Sequence, residues 1–117
     1  MISVLISVFL MFSHEIVVVN ETASYELRSA QVTGYTSSSE ETDDTPFLTA
    51  AQTKTRPGVI ACPRDIPFFT KVEIDGIIYF CEDRLNLRHT NRFDIWFPTK
   101  SEALEWGIQD KVVKVFK

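Results

Sequence analysis

Two carboxylates, Asp83 and Asp94, stand in two apolar runs, Tyr79-Phe-Cys-Glu-Asp-Arg84 and Asn91-Arg-Phe-Asp-Ile-Trp-Phe97. Carboxylates with aromatic and hydroxyl company suit carbohydrate chemistry: an acid protonates a glycosidic oxygen while aromatic faces stack on sugar rings. Here the company is Asp44, Trp96, Tyr35 and Thr49. Other chemistries have little to work with. There are two histidines, His14 and His89, and no Gly-x-Ser-x-Gly, so a nucleophilic triad lacks its parts. His89 lies in the polar loop between the two aspartates; it could sit near the site, but a solvated loop residue is the expected reading. No glycine-rich loop precedes a helix, and no Cys-x-x-Cys or His-x-x-x-His spacing offers a metal its ligands. No cofactor or metal is expected.

The elements that must position these acids are strands. Aromatic and β-branched residues dominate both runs, and turn-formers bound them. Side chains alternate across a strand, so Phe93, Ile95 and Phe97 share one face and Asp94 and Trp96 the other. With the first face in the core, Asp94 looks outward beside an indole. The other reading of that pairing is an ordinary edge residue.

Along the rest of the chain, residues 15–20 (EIVVVN) suit a strand outside the main fold. Residues 27–36 suit a strand with a bulge or close approach at Gly34. Residues 37–46, SSSEETDDTP, form a polar acidic loop, either solvated or holding a capped helical turn. Residues 59–62 make a short strand between an Arg56-Pro-Gly58 turn and a Pro63-to-Pro67 turn. Asp75-Gly76 between residues 71–74 and 77–83 is a two-residue hairpin signal. The one convincing helix follows Pro98: Thr99 and Glu102 have capping-box spacing and Gly107 suits its end. Ala103, Leu104 and Trp106 are its expected buried positions, and residues 111–116 end the chain in a strand. Six or seven short strands, one helix of about two turns and no βαβ rhythm point to a small closed barrel.

At 117 residues there is room for one modest core. With 44% hydrophobic and 24% charged residues the composition is that of a globular protein. A net charge of -4 and the absence of a basic stripe argue against nucleic acid as a partner. Residues 1–12, MISVLISVFLMF, are apolar apart from two serines and too few to span a bilayer, which takes about 20. They match the apolar region of an export signal, although a basic start and a small-x-small cleavage site are missing; a buried first strand is the alternative. The expected division is a leader and linker over residues 1–26, with the folded domain over 27–117. The expected location is secreted or cell-envelope, with membrane contact only through the leader. Cys62 and Cys81 could form one bridge if their strands are adjacent, but two small buried hydrophobes are the expected outcome.

An ordered set of short motifs adds to this. Val32-Thr-Gly-Tyr-Thr36, Thr49-Ala50, Pro57-Gly-Val-Ile-Ala61, Ile66-Pro67, Thr70-Lys-Val72, Glu82-Asp-Arg84 and Asn91-Arg-x-Asp-Ile-Trp96 resemble, in this order, the three-aspartate or "3D" domain. That domain occurs in membrane-bound lytic transglycosylase A and in small cell-wall proteins of spore-forming bacteria. The likeness covers roughly residues 31–116. It implies an all-β fold, a six-stranded double-psi β-barrel with one short helix near the C-terminus. It also implies cleavage of the bond between N-acetylmuramic acid and N-acetylglucosamine in peptidoglycan glycan strands, leaving a 1,6-anhydro sugar. On that resemblance Asp94 is the acid and later the base, Asp83 orients the site, and Thr49 lies near the cleft. Residue type, apart from the resemblance, makes Tyr35 and Trp96 the candidates to contact a glycan. Many members carry a first aspartate after the Val-Ile-Ala strand, where this chain reads Ala61-Cys-Pro-Arg-Asp65; Asp65 and Asp44 are the candidates for that third acid. A barrel of this kind that binds glycan without cutting it is the alternative function.

Overall fold

The computed structural model describes residues 24–37 and 47–117 in full, and the backbone of residues 9–12 and 15–18. Two short strands, β1 (Phe9–Phe12) and β2 (Glu15–Val18), pair antiparallel as a separate two-stranded sheet. Residues 15–18 of the β-branched run thus make a strand outside the barrel, as the composition suggested. The remaining strands are β3 (Tyr25–Tyr35), β4 (Val59–Cys62), β5 (Lys71–Ile74), β6 (Ile77–Arg84), β7 (Arg92–Trp96) and β8 (Gln109–Phe116). A single helix, α1 (Lys100–Trp106), precedes β8.

Those six strands close a barrel in the order β3-β7-β4-β6-β5-β8. β3 runs parallel to β7 and β4 parallel to β6, while the other contacts are antiparallel. Consecutive strands β3 and β4 flank β7, and consecutive strands β6 and β7 flank β4. Each half of the chain therefore threads a strand between two strands of the other half. Two interlocked loops of this kind define the double-psi β-barrel. Closure leaves the barrel no free sheet edge.

Local sequence accounts for the corners. Asp75 and Gly76 both take positive φ, 53° and 80°, the two-residue turn whose twist matches the hairpin of β5 and β6. Thr99 caps α1 by accepting the Glu102 backbone N–H at 3.2 Å. Gly107, at φ 71°, ends it with its N–H on the Ala103 carbonyl. Ala103 is the buried residue of the helix, and Trp106 packs against the core with Nε1 donating to the Val32 carbonyl at 3.1 Å. Leu104, expected to be buried, is 70% exposed. Residues three apart share a helix face, so Ala103 and Trp106 turn inward together and Leu104 is carried to the outside.

The core is built from Val32, Ile60, Cys62, Val72, Ile74, Cys81, Phe93, Ile95, Val113 and Val115, with Ala30, Ile66 and Tyr79 around them. Cys62 and Cys81 lie inside it and are joined by a disulfide, with Cα atoms 5.7 Å apart. That corrects the expectation of two free thiols. β4 and β6 are parallel neighbours with Ile60 opposite Cys81, so Cys62, two residues on, faces the same interior side. Gly34 is a close approach, as anticipated: a Cβ there would stand 2.8 Å from the Phe97 ring and 3.2 Å from the Ala103 carbonyl.

Candidate functional site

Four strands carry one row of residues that includes both aspartates. Thr33 of β3 is opposite Asp94 of β7, Asp94 is opposite Ala61 of β4, and Ala61 is opposite Asp83 of β6. Directly opposed residues share a face, and Phe93 and Ile95 are in the core, so this row points outward. Two strand spacings put the backbones of Asp94 and Asp83 about 10 Å apart. Ala61 contributes only a methyl group between them.

The row depends on a bulge. Val59 and Ile60 pair with Phe80 and Cys81, but Ala61 pairs with Asp83, leaving Glu82 as the extra residue on β6. A bulge re-aims side chains. Glu82 is buried and accepts from Arg56 Nη1 and Nη2, at 2.8 and 2.6 Å, and from the Thr53 hydroxyl at 2.6 Å. Asp83 takes the Ala50 backbone N–H and the Arg84 backbone N–H, each at 2.9 Å, and the Tyr35 hydroxyl at 2.8 Å. One bulge thus ties two successive carboxylates to the loop over residues 47–56.

Thr49 belongs to the support of that loop. It is buried, and its hydroxyl lies 2.7 Å from that of Thr53, whose own hydrogen goes to Glu82. The Thr49 hydroxyl therefore donates to Thr53 and accepts the Thr53 backbone N–H at 3.1 Å. Its contribution to the site is to hold the turn from which Ala50 reaches Asp83.

Asp94 is half-buried, and burial pushes its carboxyl above the ordinary aspartate range. The Thr33 hydroxyl, donating to Oδ1 at 2.5 Å, pulls the other way, as does the charge of Arg92. Asp83 adds to the upward push because two nearby carboxylates resist joint ionisation. Tyr35 is raised above its usual range, first by burial and then by Asp83, so it stays a hydrogen-bond donor. Tyr35 lies two residues from Thr33 on the same face of β3, and its hydroxyl reaches Asp83 on β6.

Trp96 pairs with Tyr35 across β3 and β7, on the outward face with Asp94. Its indole Nε1 donates to the Ser37 hydroxyl at 2.7 Å, and Ser37 donates to Thr55 at 3.1 Å. The structure therefore gathers Asp94, Asp83, Tyr35 and Trp96 on one face. It does not bring Asp65 to them: that carboxylate pairs with Arg28 at 2.8 Å, which holds it below its ordinary range. Asp44 lies outside the described residues.

His89 differs from its reading as a solvated residue. It is half-buried, with two guanidiniums on one of its ring nitrogens. Its Nε2 accepts from Arg92 Nη1 and from Arg88 Nε, each at 3.4 Å. Arg92 Nε also donates to the Thr33 hydroxyl at 3.1 Å, so a chain runs from Arg92 through Thr33 to Asp94. Sequence reasoning missed Thr33, Arg92, Ala61 and the Glu82–Arg56 pair. The first has the parity of Tyr35, a usable signal, but its partner is 61 residues away. Among the described residues no three of His, Cys, Asp and Glu gather into a metal-binding group. No helix among them is long and apolar enough to cross a membrane.

No family model matches this chain, and no curated protein matches it significantly.

Proposed function

We propose that this barrel is a lytic transglycosylase of peptidoglycan, a member of the three-aspartate domain family, exported to the cell envelope. The observation that carries the reading is the Asp94 carboxyl, pushed toward its protonated form by burial, on one outward row with Asp83. An acid for a glycosidic oxygen must hold a proton near working pH, and burial beside a second carboxylate is how a protein arranges that. Tyr35 and Trp96 on the same face supply aromatic surface for sugar rings.

In the proposed reaction Asp94 gives its proton to the glycosidic oxygen as the bond from C1 of the muramic residue breaks. The C6 hydroxyl of the same residue attacks C1, and Asp94, now a carboxylate, takes the hydroxyl proton. The anhydro ring closes and Asp94 is protonated again. One carboxylate serves twice because the nucleophile belongs to the substrate, unlike the paired-carboxylate hydrolases. Asp83 offsets positive charge developing at C1.

A structural role for Asp83 has a specific observation in its favour: all its partners are protein donors, two of them backbone N–H groups. The deciding experiment is mass spectrometry of soluble fragments from purified peptidoglycan incubated with wild type and with Asp94→Asn. Anhydro-muropeptides from wild type alone are expected. Reducing-end fragments would mean hydrolysis. No fragments from the folded wild type would leave a barrel that binds glycan without cutting it.

A further inference from the structure

The residues beside Asp94 carry more positive charge than its acid role requires. Arg88 and Arg92 converge on a single nitrogen, His89 Nε2, each at 3.4 Å. A guanidinium has no acceptor, so the imidazole nitrogen accepts from both, and the two cations are held close together. Among the described residues neither guanidinium is in an ion pair with a carboxylate. Arg92 has only its Nε and Nη1 engaged among the described residues, and Arg88 only its Nε. Two like charges gathered in a chain of net charge -4, with nitrogens unengaged among the described residues, make a place where an anion relieves repulsion.

The position says which anion. Arg92 is two residues before Asp94 on β7 and so on the same outward face, about 7 Å along the strand. That is the scale of one sugar unit. The guanidinium fork matches a carboxylate, and the glycan proposed above carries carboxylates. We propose that Arg88, His89 and Arg92 form an anion subsite that takes a carboxylate borne by the sugar whose bond Asp94 would protonate. The ligand class is an acidic amino sugar, its carboxylate either on the lactyl ether of the ring or on an attached peptide. The choice of glycan as ligand rests on the function proposed above; the anion subsite itself rests on the two guanidiniums.

The test uses monosaccharides, which have no bond to cut. The Nε–Hε signals of Arg88 and Arg92 in the wild-type protein are followed by NMR during titration with N-acetylmuramic acid, with muramyl dipeptide and with N-acetylglucosamine. The expected result is saturable displacement of both signals by an acidic sugar, with a dissociation constant of roughly millimolar order for so small a ligand. N-acetylglucosamine at equal concentration should displace neither. Tighter binding of muramic acid assigns the lactyl carboxylate, and tighter binding of the dipeptide assigns the peptide carboxylate. Arg88→Gln, which leaves the Arg92–Thr33–Asp94 chain in place, should weaken the acidic sugar at least fivefold. Equal response to acidic and neutral sugars, no response to either, or unchanged affinity in Arg88→Gln overturns the subsite. A protein that binds muramic acid but leaves peptidoglycan intact keeps the subsite and loses the transglycosylase. Cleavage without any response to the acidic sugars loses only the subsite.

Discussion

Thr33 and Asp94 face each other across two parallel strands, with the threonine hydroxyl donating to the carboxylate at 2.5 Å. This bond favours the charged form of Asp94 against the burial that favours the neutral one. Thr33→Val keeps the shape of the side chain and removes the donor. Its effect on Asp94 is upward. If Asp94 must be protonated to act, the alkaline limb of the pH–rate profile moves to higher pH in Thr33→Val. A limb that stays in place or moves to lower pH excludes Asp94 as the group behind it.

Asp94 should cost the protein stability at neutral pH. Its folded carboxyl lies above the unfolded value because of burial, so the folded state binds more protons in the window between them. Stability therefore falls as pH rises from the unfolded value through the folded one, and stays lower above it. In Asp94→Asn the amide has no charge to bury, and its carbonyl oxygen can still accept from Thr33. Thermal unfolding across pH should show Asp94→Asn at least as stable as wild type at pH 7, with the difference shrinking toward about pH 3, below the unfolded value. A variant that is clearly less stable at pH 7 would mean that the carboxylate serves folding.

The Glu82–Arg56 pair has the opposite sign. Arg56 holds the Glu82 carboxyl below its ordinary range, so its contribution is present above the unfolded value and lost as pH falls through the folded one. Arg56→Met removes both guanidinium bonds from a buried acceptor and should destabilise by about 1–2 kcal/mol at pH 7, discounted because Arg56 itself is half exposed. The same change loosens the loop that brings the Ala50 N–H to Asp83. Hydrogen exchange at Ala50 should therefore speed up in Arg56→Met more than exchange at Val32 in the core. Equal acceleration at both would mean only global loss of stability.

Gly34 is required by contact rather than by backbone angle. Alanine there would press on the Phe97 ring at 2.8 Å and on the Ala103 carbonyl of α1 at 3.2 Å. Gly34→Ala should cost about 1–3 kcal/mol, read as a lowered denaturation midpoint. Gly34→Ala combined with Phe97→Leu should recover part of that loss; no recovery would place the strain elsewhere.

Much of the fold was legible because it is written in neighbouring residues. Asp75-Gly76, the Thr99 cap and Gly107 each act over a few positions, and the alternation of Phe93 and Ile95 against Asp94 needs only one strand. Those features, with the short apolar runs, determined a small barrel with one helix and two aspartates on strands, one of them facing outward. The sequence could not decide distances between strands far apart in the chain. The Cys62–Cys81 bridge follows from β4 lying parallel to β6, and the chain from Arg92 through Thr33 to Asp94 follows from β3 lying parallel to β7. The ion pair of Asp65 with Arg28, which takes Asp65 away from the aspartate pair, is a contact across 37 residues. Parallel pairing has no local turn to announce it, because its strands are joined by long crossovers. The types of the acting residues were therefore present in the sequence, and their convergence on one outward row was decided only by the closing of the barrel.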